Sequence, residues 1–304
     1  MYNKKLDFSF EKYITNKMKQ ITPVNDNGSG DNSSNNDSSL EYDIYIVGTF
    51  NDWGQYSSIE LPNYKMNKIA DKSIDMILAD LPYGTTQASF DTVIPFEPLW
   101  KQYHRVIKDN GAIVLFGCEP FSSKLRVSNL KLYKYDWKWI KESATGFQTV
   151  KTQPMRKYED IMIFSKGTIA SGSKRNMVYN PQNLIEINKI KKVAKKPEYI
   201  GKRPNQDGKT YIAKYTNYPV NLLKFNRDKN KIHPTQKPVA LLEYLIKTYT
   251  NENETVLDNC MGSGSTGVAC KNINRNFIGI ELDEKYFEIA KNRILGGLTY
   301  GKDL

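Results

Sequence analysis

The segment from Thr255 to Glu281 constrains the fold most. Thr255–Leu257 reads as a short apolar strand, Thr266–Lys271 as a helix start and Phe277–Ile280 as a second strand. Between strand and helix lies Asp258-Asn-Cys-Met-Gly262-Ser-Gly264-Ser-Thr-Gly267, with glycines in the G-x-G-x-x-G spacing. Glycine lets the backbone turn sharply and pass close to a helix N-terminus. A strand, a tight turn, a packed helix and a second strand close most simply as a right-handed crossover in a parallel sheet. A chain holding such a unit is expected to be α/β.

The rest of the chain repeats that alternation. Ile74–Ala79 (IDMILA) is a buried-strand run that ends at a Pro-Tyr-Gly turn. Phe96–Ile107 has helical spacing, Asn110-Gly111 reads as a turn, and Ala112–Phe116 as a strand. Pro120–Leu130 is expected to be helical, with Tyr133–Ile140 and Asp160–Phe164 as strands. Pro238–Tyr249 and Glu284–Ile294 are expected helices. YDIYIVGTF, near residue 45, supplies a packing strand followed by a turn. The expected architecture is a mostly parallel, Rossmann-like sheet with helices on both faces. Residues 25–39 contain only Asn, Asp, Ser and Gly, so residues 1–40 are expected to be a flexible arm and linker.

Several function classes fall away. No apolar run approaches the roughly 20 residues of a membrane span, and the N-terminus lacks the apolar core of a secretion signal. Three cysteines (Cys118, Cys260, Cys270) and two histidines (His104, His233), without paired spacing, predict neither a disulfide framework nor a metal site. A cytoplasmic, reduced protein is expected. Charge is segregated: residues 167–231 hold 15 Lys and Arg against four acids, a surplus equal to the +11 of the whole chain. That block has the character of an electrostatic footprint for phosphates. Its candidate contacts are Lys174, Arg175, Lys191, Lys192, Lys195, Lys196, Lys202 and Arg203.

Two turns carry the chemistry. Glu281 closes the strand after the glycine loop, 23 residues beyond Asp258, where a carboxylate can accept hydrogen bonds from ribose hydroxyls. Such a site suits NAD or S-adenosylmethionine. Asp258 at the loop entrance would repel a pyrophosphate but suits a cationic methionine end, which favours S-adenosylmethionine. The second turn, Asp80-Leu81-Pro82-Tyr83, follows the IDMILA strand at the end where parallel sheets open ligand clefts. The lone pair of an aromatic amino group is delocalised into its ring. Acceptors placed on its two N–H bonds, Asp80 and the Leu81 carbonyl, would free that lone pair to attack a methyl. Pro82 restricts the backbone that aims the carbonyl. Tyr83 can stack on a base rotated out of a duplex, worth roughly 1–3 kcal/mol.

Together these motifs resemble those of the amino-group DNA methyltransferases. Asp80-Leu-Pro-Tyr83 looks like their Asp-Pro-Pro-Tyr motif, Asp258–Thr266 like their cofactor loop, and Phe277-Ile-Gly-Ile-Glu281 like their ribose-binding strand. His233-Pro-Thr-Gln-Lys237-Pro238 is similar to the His-Pro-x-x-Lys-Pro segment that precedes the loop. The catalytic motif comes before the cofactor loop, with a variable block between, which is the circularly permuted order of the β class. The resemblance implies three regions: a catalytic half at 41–166, a basic target-recognition region at 167–231 and a cofactor half at 232–304. It implies that Asp80, Leu81, Pro82 and Tyr83 form the catalytic turn. Asp258, Gly262, Gly264, Thr266 and Glu281 would bind S-adenosylmethionine, with Lys237 near its carboxylate. An acidic first residue in the catalytic motif is usual for adenine N6 enzymes, and Ser for cytosine N4. The implied activity is therefore site-specific adenine-N6 methylation of double-stranded DNA. Cytosine-N4 methylation and a DNA-binding protein with a decayed catalytic domain are the alternatives. A restriction nuclease reading the same site and a second copy of the chain are the implied partners. Two departures stand out. Leu81 replaces the first proline, and the stretch before the catalytic strand, SSIELPNYKMNKIADKSID, lacks the family's Asp-Cys pair and offers Glu60 instead.

Overall fold

The structure, a computed structural model, describes residues 44–48, 66, 69–86, 91–193, 209–229, 232–233 and 235–295. The strands are β1 (Ile44–Gly48), β2 (Ile74–Ala79), β3 (Ile107–Gly117), β4 (Tyr133–Thr145), β5 (Arg156–Ser165), β6 (Ile185–Lys192), β7 (Thr210–Thr216), β8 (Leu222–Lys224), β9 (Thr255–Asp258) and β10 (Asn276–Glu281). The helices are α1 (Phe96–Val106), α2 (Phe121–Ser128), α3 (Val239–Tyr249), α4 (Ser265–Asn272) and α5 (Glu284–Leu295).

Among the described residues eight strands form one sheet in the order β1-β10-β9-β2-β3-β5-β4-β8. Among them β5 alone runs against the rest. The expected mostly parallel α/β architecture is the one observed. The strand read near residue 45 is the edge strand β1, paired in parallel with β10.

Core burial follows from helices packing on both faces of the sheet. All six residues of β2 are buried, including Asp75, which meets the Lys108 ammonium at 2.6 Å and accepts the Thr255 backbone N–H at 3.0 Å. Helix α1 turns Leu99, Trp100, Tyr103 and Val106 inward, and α3 does the same with Leu241, Leu242, Leu245, Ile246 and Tyr249. Asn110-Gly111 is not a turn. Strand β3 runs through it with a register irregularity, and a Cβ at Gly111 would sit 2.6 Å from the Asp75 carbonyl oxygen. Glycine is needed there for close backbone approach rather than for a reversal.

The chain changes direction across the sheet between β2 and β9. From β9 it proceeds outward to β10; from β2 it proceeds the other way to β3. The ends of these neighbouring strands carry Asp80 and Asp258, at the switch point where open α/β sheets bind ligands. Within residues 167–231, β6 and β7 form an antiparallel ribbon, β8 joins the main sheet beside β4, and Met177 is buried in the core. No helix among the described residues is long and apolar enough to cross a membrane.

Candidate active site

The two predicted turns share one cavity of about 730 Å³. Its walls include Asp80, Leu81, Pro82 and Tyr83 from one turn and Asp258, Gly262, Ser265, Thr266 and Glu281 from the other, with Lys237 between them. This volume lies within the usual range for small-molecule sites.

On the cofactor-loop side the acids are tied to backbone. Asp258 accepts the Thr266 hydroxyl at 2.6 Å and the Cys260 N–H at 3.0 Å. Burial pushes its carboxyl up to about 7, with the Asp80 and Glu281 charges adding to the rise against those two hydrogen bonds. Glu281 accepts N–H groups from Gly262 at 2.7 Å, Leu282 at 2.8 Å and Asp283 at 3.0 Å, which fixes it at the mouth of the loop. Burial raises its carboxyl as well. Gly264 caps α4 in the left-handed region at φ 78°, and a Cβ there would lie 2.8 Å from the Ala290 Cβ. Tyr103 of α1 donates its hydroxyl to Asn259 at 2.6 Å, which ties the loop to the catalytic half.

On the other side, Asp80 receives the Tyr83 hydroxyl at 2.5 Å and the Lys237 ammonium. Lys237 also stands 3.4 Å from Glu159, and Glu159 pairs with the buried Lys141. Two half-buried carboxylates and two buried ammonium groups thus form a charge-balanced chain. Burial works against the Lys237 charge, but Asp80 and Glu159 outweigh it, and the ammonium is held above its ordinary range. The Asp80 carboxyl is raised by burial and by Glu159, against the pull of Lys237. The Tyr83 ring stacks on Phe121, with centroids 5.0 Å apart. Leu81, in place of the family proline, is 3% exposed and forms part of the cavity wall.

Sequence reasoning missed four of these residues. Glu159 and Lys141 show only as charges near the apolar run of β5 and in β4, and pairing through the sheet brings them to the cavity. Phe121 looked like an ordinary helix residue. Asp91 carried no signal, yet its carboxylate accepts five hydrogen bonds: from the N–H groups of Tyr83, Gly84, Thr85 and Thr86, and from the Thr86 hydroxyl. Burial works to raise Asp91, but these donors, Thr86 foremost, outweigh it and hold the carboxyl low. Of the basic-block candidates, Lys174, Arg175, Lys191 and Lys192 are exposed, the last two on β6. Lys195, Lys196, Lys202 and Arg203 lie outside the described residues, as does Glu60.

A family model described as DNA methylase matches residues 74–292, most of the chain and both turns. The chain belongs to the DNA methylase family. Among its relatives, the type II methyltransferase M.HpaI of Haemophilus parainfluenzae is 29% identical over 247 residues, covering 75% of this chain and 70% of that protein. The DNA adenine methyltransferase YhdJ of Escherichia coli strain K12 is 28% identical over 251 residues, covering 76% and 79%. The crystal structure of the M1.HpyAVI–SAM complex is 27% identical with a TM-score of 0.51, and the match covers 82% of this chain and 99% of that one. This DNA methylase is thus a DNA methyltransferase that uses S-adenosylmethionine. The donor set fits that cofactor. The acid at the end of β10 suits ribose hydroxyls, and Asp258, once ionised, suits a cationic methionine end.

Proposed function

We propose that the chain methylates the N6 amino group of adenine in double-stranded DNA at a specific site. The observation that carries this is the convergence of Asp80 and the Asp258–Glu281 loop on one cavity. The acid at the first position of the catalytic turn, together with the relative named as a DNA adenine methyltransferase, favours adenine over cytosine.

S-adenosylmethionine, when bound, supplies a methyl group on a sulfonium. The chain's residues do the rest. Asp80 has four acceptor positions, of which Tyr83 and Lys237 use two, so it can take an N–H of the target amine. The Leu81 carbonyl accepts the other N–H, and the exocyclic amino nitrogen turns its lone pair toward the methyl. The methyl would leave its sulfonium for that nitrogen and one N–H proton would be shed to water, with no covalent link to the protein. Tyr83, backed by Phe121, stacks on the extruded base. Glu281 receives the ribose, and Asp258 and Thr266 hold the loop. Gly262 lets the backbone approach the cofactor, and Gly264 turns the loop into α4 close against Ala290. Lys237 orients Asp80 and keeps its third N–H for the methionine carboxylate. In this reading residues 41–166 and 232–304 form the two halves of the catalytic unit. Residues 167–231 recognise the target, with Lys174, Arg175, Lys191 and Lys192 on phosphates.

Treating plasmid DNA with enzyme and S-adenosylmethionine, then analysing nucleosides by mass spectrometry, tests the reading. N6-methyladenine is expected from the wild type, and none from Asp80→Ala despite retained DNA binding. N4-methylcytosine would replace adenine as the target, and no methylated nucleoside at all would overturn the function.

A further inference from the structure

The basic block is not the only surface shaped for a duplex. Strand β4 runs parallel to β2, so the β4–β5 loop emerges at the edge of the sheet that carries Asp80. Trp139 of β4 and Glu159 of β5 line the cavity, and both strands continue past them to the Thr145–Arg156 pair. At about 3.3 Å per residue, the loop stands on the order of 10 Å beyond the cavity wall.

The composition of this loop is unusual for solvent. Residues 146–158 are all exposed, among them Phe147 at 75%, Tyr158 at 50% and Val150 at 43%. From Ser143 to Tyr158 the sequence carries Lys151, Arg156 and Lys157 and no acid. The loop is also internally ordered. Gly146 turns in the left-handed region, and Thr149 accepts the Thr152 and Gln153 N–H groups at 2.9 and 3.0 Å. The Thr149 hydroxyl in turn accepts the Gln153 side-chain amide at 2.8 Å. The loop therefore holds an aromatic ring in water in a set conformation, which has a cost and no return within the chain itself.

We propose that this loop is a second DNA-contacting element, in which Phe147 wedges into the base stack beside the target while Lys151, Arg156 and Lys157 meet phosphates. The inference rests on the DNA-methylation reading above. Apolar wedges that enter a stack help to extrude a base or to hold the gap it leaves. Three cations and an exposed ring in one acid-free loop, at the edge where the base must enter, suit a duplex better than another protein.

Two substrates separate the possibilities: an unmethylated duplex carrying the site the enzyme modifies, and the same duplex with the target base opposite a gap so that it is already unpaired. Phe147→Ser is expected to lower kcat/KM at least tenfold on the duplex and less than threefold on the gapped substrate. The affinity for S-adenosylmethionine, read by calorimetry, should not change. The double variant Lys151→Gln, Lys157→Gln is expected to reduce the slope of log K against log salt by about two. Unchanged kcat/KM on the duplex, or an equal loss on both substrates, overturns the proposal. So does a change in oligomeric state by light scattering with DNA activity intact, which would assign the ring to chain–chain contact. A wild type that methylates neither substrate overturns the parent reading instead, and is recognised before any substitution is made.

Discussion

Asp91→Asn tests how far the catalytic turn depends on one carboxylate. Oδ1 of Asp91 accepts two N–H groups, from Tyr83 at 2.7 Å and Gly84 at 2.8 Å. Oδ2 accepts three donors, the Thr85 and Thr86 N–H groups at 2.9 and 2.6 Å and the Thr86 hydroxyl at 2.8 Å. An amide presents an acceptor on one side only, so its better orientation keeps three bonds and sets an NH2 against two donors. Hydrogen bonds to a charged group are worth roughly 1.5–3 kcal/mol each. These amides are near the surface and regain water, which reduces the loss to about 2 kcal/mol in total. If the turn must be ordered before the amine can be held, kcat falls about 30-fold. Affinity for S-adenosylmethionine should stay within about twofold, because the Asp91 bonds end at Thr86 and none reaches the loop at 258–267. Single-turnover methylation and calorimetry supply the two numbers. A kcat within threefold of wild type would refute the reasoning, and so would a tenfold loss of cofactor affinity.

Other outcomes follow from the same geometry. Glu159→Gln strips Lys141 of its carboxylate partner and is expected to lower stability by about 3 kcal/mol in denaturant melts. It also removes a charge that raises the Asp80 carboxyl, so the acid limb of the pH–rate profile should move to lower pH; an unmoved limb would exclude that coupling. Asp258 titrates near 7 in the folded protein, above its unfolded value, so its protonated form favours the fold and that contribution is lost as pH rises through 7. Cofactor binding has the opposite sign, since a cation prefers the ionised form. Affinity should rise about tenfold per pH unit below 7 and level off above it, and a flat profile from pH 6 to 8 would contradict this. Gly264→Ala places a Cβ in left-handed backbone against Ala290, and a fall of roughly 5 °C or more in Tm is expected.

Much of this was legible in the residues. The glycine loop with its closing acid, and the apolar run that ends in Asp-Leu-Pro-Tyr, each combine a period with punctuation, and such signals survive without tertiary context. The helices α1 and α3 were readable for the same reason. What stayed hidden depends on pairing between distant strands. Glu159 reaches Lys237 because β5 lies between β3 and β4, an order that no local pattern encodes. Asp91 acts through four backbone amides, which leave no trace in residue type. The Asn110-Gly111 pair misled because glycine served close approach to Asp75, and its φ lies outside the left-handed region. The charge count placed the whole surplus in residues 167–231 and passed over the smaller cationic loop at 146–158.

The central claim is that one cleft holds the cofactor loop and the catalytic turn face to face. A crystal structure of the enzyme with S-adenosylmethionine tests it directly. The account predicts ribose hydroxyls on the Glu281 carboxylate, with the methyl directed at the space beside Asp80 and Tyr83. Density for the cofactor outside this cavity, or a methyl pointing away from Asp80, would contradict it.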